Sequence, residues 1–174
     1  MYAVVHKLVA AIIRILWPLK YASILGVKYG DGCKFIRPNF GTEPYLISMG
    51  NHVEITNNVQ FITHDGGVWC FRENEPDIDI FGPIIIGDNV FIGINSVILP
   101  NVTIGNNVII GAGSVVASNV EKNTVVGGTP ARFICDLDTY YNKNQDNYFQ
   151  IKNKSPREKR SYLENYFLTS AKLY

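Results

Sequence analysis

Residues 80–120 read IFGPIIIGDNVFIGINSVILPNVTIGNNVIIGAGSVVASNV, and their spacing decides the fold. An aliphatic residue returns every six positions, at Ile80, Ile86, Ile92, Ile98, Ile104, Ile110 and Val116. Four residues after each stands a second inward candidate: Ile84, Val90, Ser96, Val102, Val108, Ser114 and Val120. Neither a 3.6-residue helix nor plain strand alternation has a period of six. Short strands joined by turns do, with one aliphatic on each side of a triangular coil. The Ile-Gly pairs at 86–87, 92–93, 104–105 and 110–111, with Asp88-Asn89 and Asn106-Asn107, supply turn conformations that other residues resist. Successive coils stack their strands about 4.8 Å apart. Each buried aliphatic then contributes roughly 1.5–3 kcal/mol. One coil cannot bury its inner face alone, so the repeat implies an all-β solenoid.

Working outward, the register continues upstream through Phe61, Ile55 with Val59, and Met49-Gly50 with Val53, and opens at Tyr29-Gly30, Cys33 and Phe35. Two stretches interrupt it. GVWCFRENEPDID, residues 67–79, reads as a loop extruded from tight turns, and long loops in compact scaffolds carry function. FGTEPYLIS, residues 40–48, is shorter, and spacing assigns it no role.

Ahead of the repeat, residues 2–25 are apolar but broken by Arg14 and Pro18. A membrane span needs about 20 largely uninterrupted apolar residues, and no small-residue cleavage site marks a signal peptide. Leu8, Ile12, Ile15, Leu16 and Leu19 recur at helical spacing, so residues 1–26 read as an amphipathic helix broken near Pro18. Such a helix either covers the open end of the fold or lies on the inner membrane face, with Trp17 and the basic residues at headgroup level. Beyond Arg132 the period ends. Residues 133–174 read as a helical tail, with a short helix over 135–141 and a start signal at Ser155-Pro156-Arg157-Glu158.

Composition limits the functions. Sixteen Lys and Arg against fifteen Asp and Glu leave a net charge of +1, so no basic field awaits nucleic acid. Cys33, Cys70 and Cys135 lack metal or disulfide spacing and fit free thiols in the cytoplasm. A zinc site of three histidines is a poor prospect, since the chain holds only His6, His52 and His64, and His6 precedes the coils.

Residues 87–132, GDNVFIGINSVILPNVTIGNNVIIGAGSVVASNVEKNTVVGGTPAR, resemble the hexapeptide-repeat acyltransferases, and with the earlier coils the likeness covers residues 27–132. PYLISMGNHVEITNNVQFITHDGG, residues 44–67, resembles the branch that modifies sugar and polysaccharide hydroxyls. The resemblance implies a left-handed parallel β-helix, a homotrimer with active sites between neighbouring subunits, and acetyl-CoA as cosubstrate without a metal. A sugar hydroxyl needs a base as it attacks a thioester, and histidine suits the task. Family members carry their catalytic histidine near the loop, which points to His64 in Thr-His-Asp-Gly-Gly. With three hexads per coil, the hexad of Phe61 falls on that of Ile92, and Asn95 becomes the stacked neighbour of His64, about 5 Å away. Asn95 would then orient the imidazole or bind the thioester. Either Asp65 or Glu54 would hold the second ring nitrogen.

The resemblance further implies that the backbone at Gly93, Ile94, Gly111 and Ala112 receives the thioester oxygen and pantetheine, and that Arg132 meets the CoA phosphates. Ala117-Ser118 stands where many relatives carry Thr-Lys, so one cationic contact is missing. Asp65, Trp69 and Arg72 are the acceptor-binding candidates. The expected activity is direct acetyl transfer to a sugar hydroxyl of a surface polysaccharide, lipopolysaccharide or capsule, or of its precursor. The rivals are N-acetylation of an amino sugar nucleotide, modification of a small xenobiotic, and a non-catalytic scaffold.

Overall fold

The computed structural model describes residues 12–169. The chain divides into one unit up to Tyr140 and a second from Tyr141. In the first unit the strands occupy three parallel faces visited in rotation. One face holds Ile47–Met49, Ile84–Ile86 and Thr103–Ile104. The next holds Lys34–Phe35, Glu54–Ile55, Val90–Ile92, Val108–Ile110 and Thr124–Gly128, and Ala131–Asp136 returns antiparallel beside the last, so the helix expected over 135–141 starts only at Leu137 and runs to Lys143. The third holds Gln60–Phe61, Val97–Ile98 and Val115–Val116. Val90 pairs with Val108 in parallel, so one coil takes 18 residues. The period of six is thus one side of a three-sided coil.

Every inward position from Ile84 to Val120 is buried, including Ser96 and Ser114. Each serine satisfies its hydroxyl on Gly111 O, so the small polar side chain costs nothing inside the turn. Glycine follows the aliphatic because the coils touch there: a Cβ on Gly93 would lie 2.5 Å from Ala112 N. The edges are made by asparagines at positive φ. On one edge His52 Nδ1 stands 2.8 Å from Asn89 Oδ1, Asn89 Nδ2 donates to Asn107 Oδ1, and Asn107 Nδ2 donates to Asn123 Oδ1. Short polar side chains tolerate this left-handed backbone and bond locally, and His52 is one rung of the ladder.

Ile80 departs from the expected pattern. It is 48% exposed and pairs antiparallel with Asp65, while Phe81 pairs with His64. Phe61 stacks on Ile98, a separation of 37 residues rather than 18. The excursion therefore begins at His64, before the expected 67–79, and its two-stranded neck is outside the coil. Ile80 lies six residues before Ile86 and mimics a repeat that the backbone does not make.

The N-terminal end of the coil is closed. Residues 12–16 are helical, the helix breaks at Trp17, and Pro18–Ile24 resumes with proline in its first turn. Ala22 is fully buried in the core with Val27 and Phe35, and Leu19 packs against them. Tyr29 Oη donates to Leu19 O, tying helix to first coil. Ile12, Ile15, Leu16 and Trp17 remain exposed. Among the described residues no helix is long and apolar enough to cross a membrane. The expected contributions of His6, Lys7 and Leu8 lie outside the described residues.

In the second unit, Phe149 gathers the rings of Tyr162, Tyr166 and Phe167 edge-on at 5.0–6.2 Å. Ser155 and Glu158 cap the helix Pro156–Glu164 reciprocally, as Ser-Pro-Arg-Glu foretells.

Candidate active site

His64 opens the excursion, on the outgoing strand of its neck. The neck holds the imidazole from one side, with the Phe81 ring 6.1 Å away. The 40–48 interruption holds it from the other. Gly41 has φ 70°, and a Cβ there would lie 2.6 Å from Phe61 O, so only glycine lets this segment lie so close to the coil. Thr42 and Glu43 follow. His64 Nδ1 is 3.2 Å from Glu43 Oε2 and 3.0 Å from Thr42 Oγ1. The same carboxylate oxygen accepts the hydroxyls of Thr42 at 2.8 Å and of buried Thr63 at 2.7 Å.

These bonds favour a charged Glu43 and a proton on Nδ1 of His64. The Thr63 hydroxyl, above all, holds the Glu43 carboxyl below its ordinary value, aided by Thr42 and His64 and opposed by partial burial. Both threonine protons already point at Glu43, so the remaining donor toward that oxygen is Nδ1–H. Nε2 is left with its lone pair, the arrangement a general base requires. Glu43 thus occupies the place expected of Asp65 or Glu54. Asp65 instead accepts from Gly67 N at 2.8 Å, opening the 3-10 turn Gly66–Phe71. Glu54 pairs with Lys34 at 2.6 Å.

The expected contact between His64 and Asn95 is not formed. Asn95 sits at positive φ on the edge before the third face and accepts from Asn58 Nδ2 at 2.9 Å. The cause is the longer excursion, which sets Phe61 on Ile98 and moves His64 one hexad away. Arg72 is also spent locally, donating to Asp79 Oδ1 at 2.5 Å and to Pro76 O at 2.6 Å. It braces the excursion and does not stand free for an acceptor. Trp69 is 78% exposed on the same excursion.

The edge carrying Asn95 forms a second candidate lane. Gly93, Gly111 and Gly113 spend their N–H groups on neighbouring coils. The N–H groups of Ile94 and Ala112 have no hydrogen-bond partner among the described residues. These two residues stack, since Gly113 N donates to Ile94 O at 2.8 Å. Beyond Gly113 nothing fills the space a Cβ would take. A run of unused amides beside open space suits the amide-rich pantetheine chain. Further along, Arg132 lines a cavity of about 220 Å³ with Ser118, Asn119 and Phe133, and donates to Ala131 O. Among the described residues no cluster of three His, Cys, Asp or Glu could hold a metal ion.

Residues 83–118 match the family described as bacterial transferase hexapeptide (six repeats). Protein CapG of Staphylococcus aureus is 55% identical over 146 residues, covering 82% of this chain and 85% of that one. A hexapeptide-repeat containing acetyltransferase from Vibrio cholerae superposes with a TM-score of 0.56 at 34% identity, over 64% of this chain and 63% of that chain. Its complex with acetyl-CoA gives 0.51 at 25%, over 72% and 82%. A maltose O-acetyltransferase from Clostridium difficile gives 0.54 at 28%, over 67% and 73%.

Proposed function

This chain belongs to the hexapeptide-repeat acetyltransferases and uses acetyl-CoA as cosubstrate, and on that premise we propose that it acetylates a hydroxyl of a sugar destined for a surface polysaccharide. The observation that carries the reading is His64, held through Nδ1 by an ionised Glu43 beside an excursion that exposes Trp69. An aromatic face suits the CH surface of a sugar. The likeness to a maltose O-acetyltransferase supports a sugar alcohol over an amine.

Acetyl-CoA supplies the acyl group as a thioester, whose carbonyl carbon bonds to the sugar oxygen as the carbon–sulfur bond breaks. His64 Nε2 takes the hydroxyl proton during attack and returns it to the departing sulfur. Glu43 stabilises the imidazolium formed between these events, and Thr63 and Thr42 keep that carboxylate charged and aimed. The N–H groups of Ile94 and Ala112 would receive the thioester oxygen and the pantetheine amides, with Arg132 toward the phosphates.

His64 and the Ile94 lane flank opposite ends of the third face. Six residues of near-extended chain separate Asn58 from His64, roughly 15–20 Å. One copy therefore does not place base and thioester together; a second copy brings its His64 to the first copy's lane. A site shared by two neighbours is in keeping with the homotrimer of left-handed coils that the family resemblance implies.

The test is CoA release against a panel of sugars and glycan fragments, with hydroxyl and amine acceptors compared. At least a 10²-fold drop in kcat for His64→Ala is expected. Undiminished turnover by that variant, or a preference for amines, would overturn the reading.

A further inference from the structure

The lane does not stop at Ile94. Toward the N-terminus the same edge continues through Asn95, Asn58 and Arg37, all at positive φ. There a cavity of about 410 Å³ is lined by Arg14, Arg37, Asn57, Asn58 and Asn95, with Ile15 as its apolar member. Two guanidinium groups and three carboxamides face one space, and no carboxylate lines it. Neither arginine has an acidic partner among the described residues. Arg14 Nη2 donates to Arg37 O at 3.2 Å, while Arg14 Nε is buried without a hydrogen-bond partner among the described residues. Two guanidinium groups that share one cavity with no carboxylate to answer them suit an anion. Arg37 sits at φ 50° where the stacked positions hold Asn58, Asn95 and Gly113. A long side chain is kept there despite the backbone cost.

We propose that this cavity receives the diphosphate of the acceptor, so that the acetylated sugar is presented on a diphosphate carrier. The proposal rests on the acetyltransferase reading. With the thioester at Ile94, Arg37 lies two coils further, about 10 Å at the strand spacing. That is the scale of a sugar ring between its reacting hydroxyl and an anomeric diphosphate. Two cations suit a diphosphate better than a single carboxylate, and guanidinium forks match phosphate oxygens. The carrier is either a nucleotide or a lipid; the exposed Ile15 in the cavity lining, followed in sequence by exposed Leu16 and Trp17, would suit a lipid.

Titration calorimetry on the full chain with inorganic pyrophosphate and with a UDP-hexose tests the site. Binding weakened at least tenfold by Arg37→Asn and restored toward wild type by Arg37→Lys is expected. Asparagine already stands at positive φ on this edge, so Arg37→Asn keeps the fold. In CoA release, the preference for a sugar diphosphate over the free sugar should fall at least tenfold in Arg37→Asn. Running nucleotide-linked sugar against isoprenoid-linked sugar in detergent micelles identifies the carrier, and preference for either supports the proposal. Equal binding of pyrophosphate by wild type, Arg37→Asn and Arg14→Gln would overturn it, as would faster turnover of free sugars by wild type. Arginine-dependent pyrophosphate binding without CoA release from any acceptor would instead overturn the acetyltransferase reading and leave the anion site standing.

Discussion

The coils from Ile84 to Val126 and those from Lys28 to Phe81 are built on one plan and differ in how strictly they follow it. The later coils repeat every 18 residues up to Val116, then close with a coil of 16 that sets Val120 on Ile104, over an Ile and Val core and an asparagine ladder. In the earlier coils the column turns aromatic, with Tyr29, Phe35, Phe40 and Phe61 in ring contact at 5.3–5.9 Å. Two segments also leave the coil there. Glu43 comes from one and His64 stands at the root of the other, while Arg37 replaces an asparagine at an edge. A perfect repeat offers the same surface at every level and cannot single out one place for chemistry. The reacting groups therefore collect where the repeat is broken, and the regular coils hold them in position.

That division can be attacked from both sides. The largest effect is expected for Ile110→Ala in the regular coils: Ile110 is fully buried, and its truncation should cost about 2–5 kcal/mol in denaturant unfolding. The kcat of the folded fraction should stay within a few-fold of wild type; a loss far beyond the unfolded fraction would break the contrast. Next comes Glu43→Gln, expected to lower kcat ten- to a hundredfold, about 1.4–2.7 kcal/mol of transition-state stabilisation, with a modestly lower Tm near neutrality. Because the Glu43 carboxyl titrates below its ordinary value, its stabilising share is complete above the unfolded carboxylate range. It is lost as pH falls through the lowered folded value. Acid unfolding curves of wild type and Glu43→Gln should converge there. The smallest effect is Asn107→Ala, about 1–2 kcal/mol for a left-handed edge residue, read as a drop in Tm that Asn107→Gly largely recovers.

Local and periodic signals in the sequence translate faithfully. The inward column from Ile84 to Val120 is legible because each hexad repeats one environment, and the Ser155 cap is legible because its partner is three residues away. Arithmetic fails at Ile80, whose spacing to Ile86 is right although the backbone between them has not rejoined the coil. That error propagates to Asn95, because register across an excursion cannot be counted without its true length. Glu43 was out of reach for another reason. The 40–48 segment has no period, so nothing in it announces a contact with a histidine 21 residues later.

The excursion enters and leaves the coil through a neck two residues wide, His64–Asp65 against Ile80–Phe81. Whatever lies between those pairs adds nothing to the pitch. Residues 66–79 can lengthen, shorten or change composition while every level above and below keeps its neighbours. Descendants of this scaffold are thus free to try new clients by rewriting one appendage, without renegotiating the stack that aims the base.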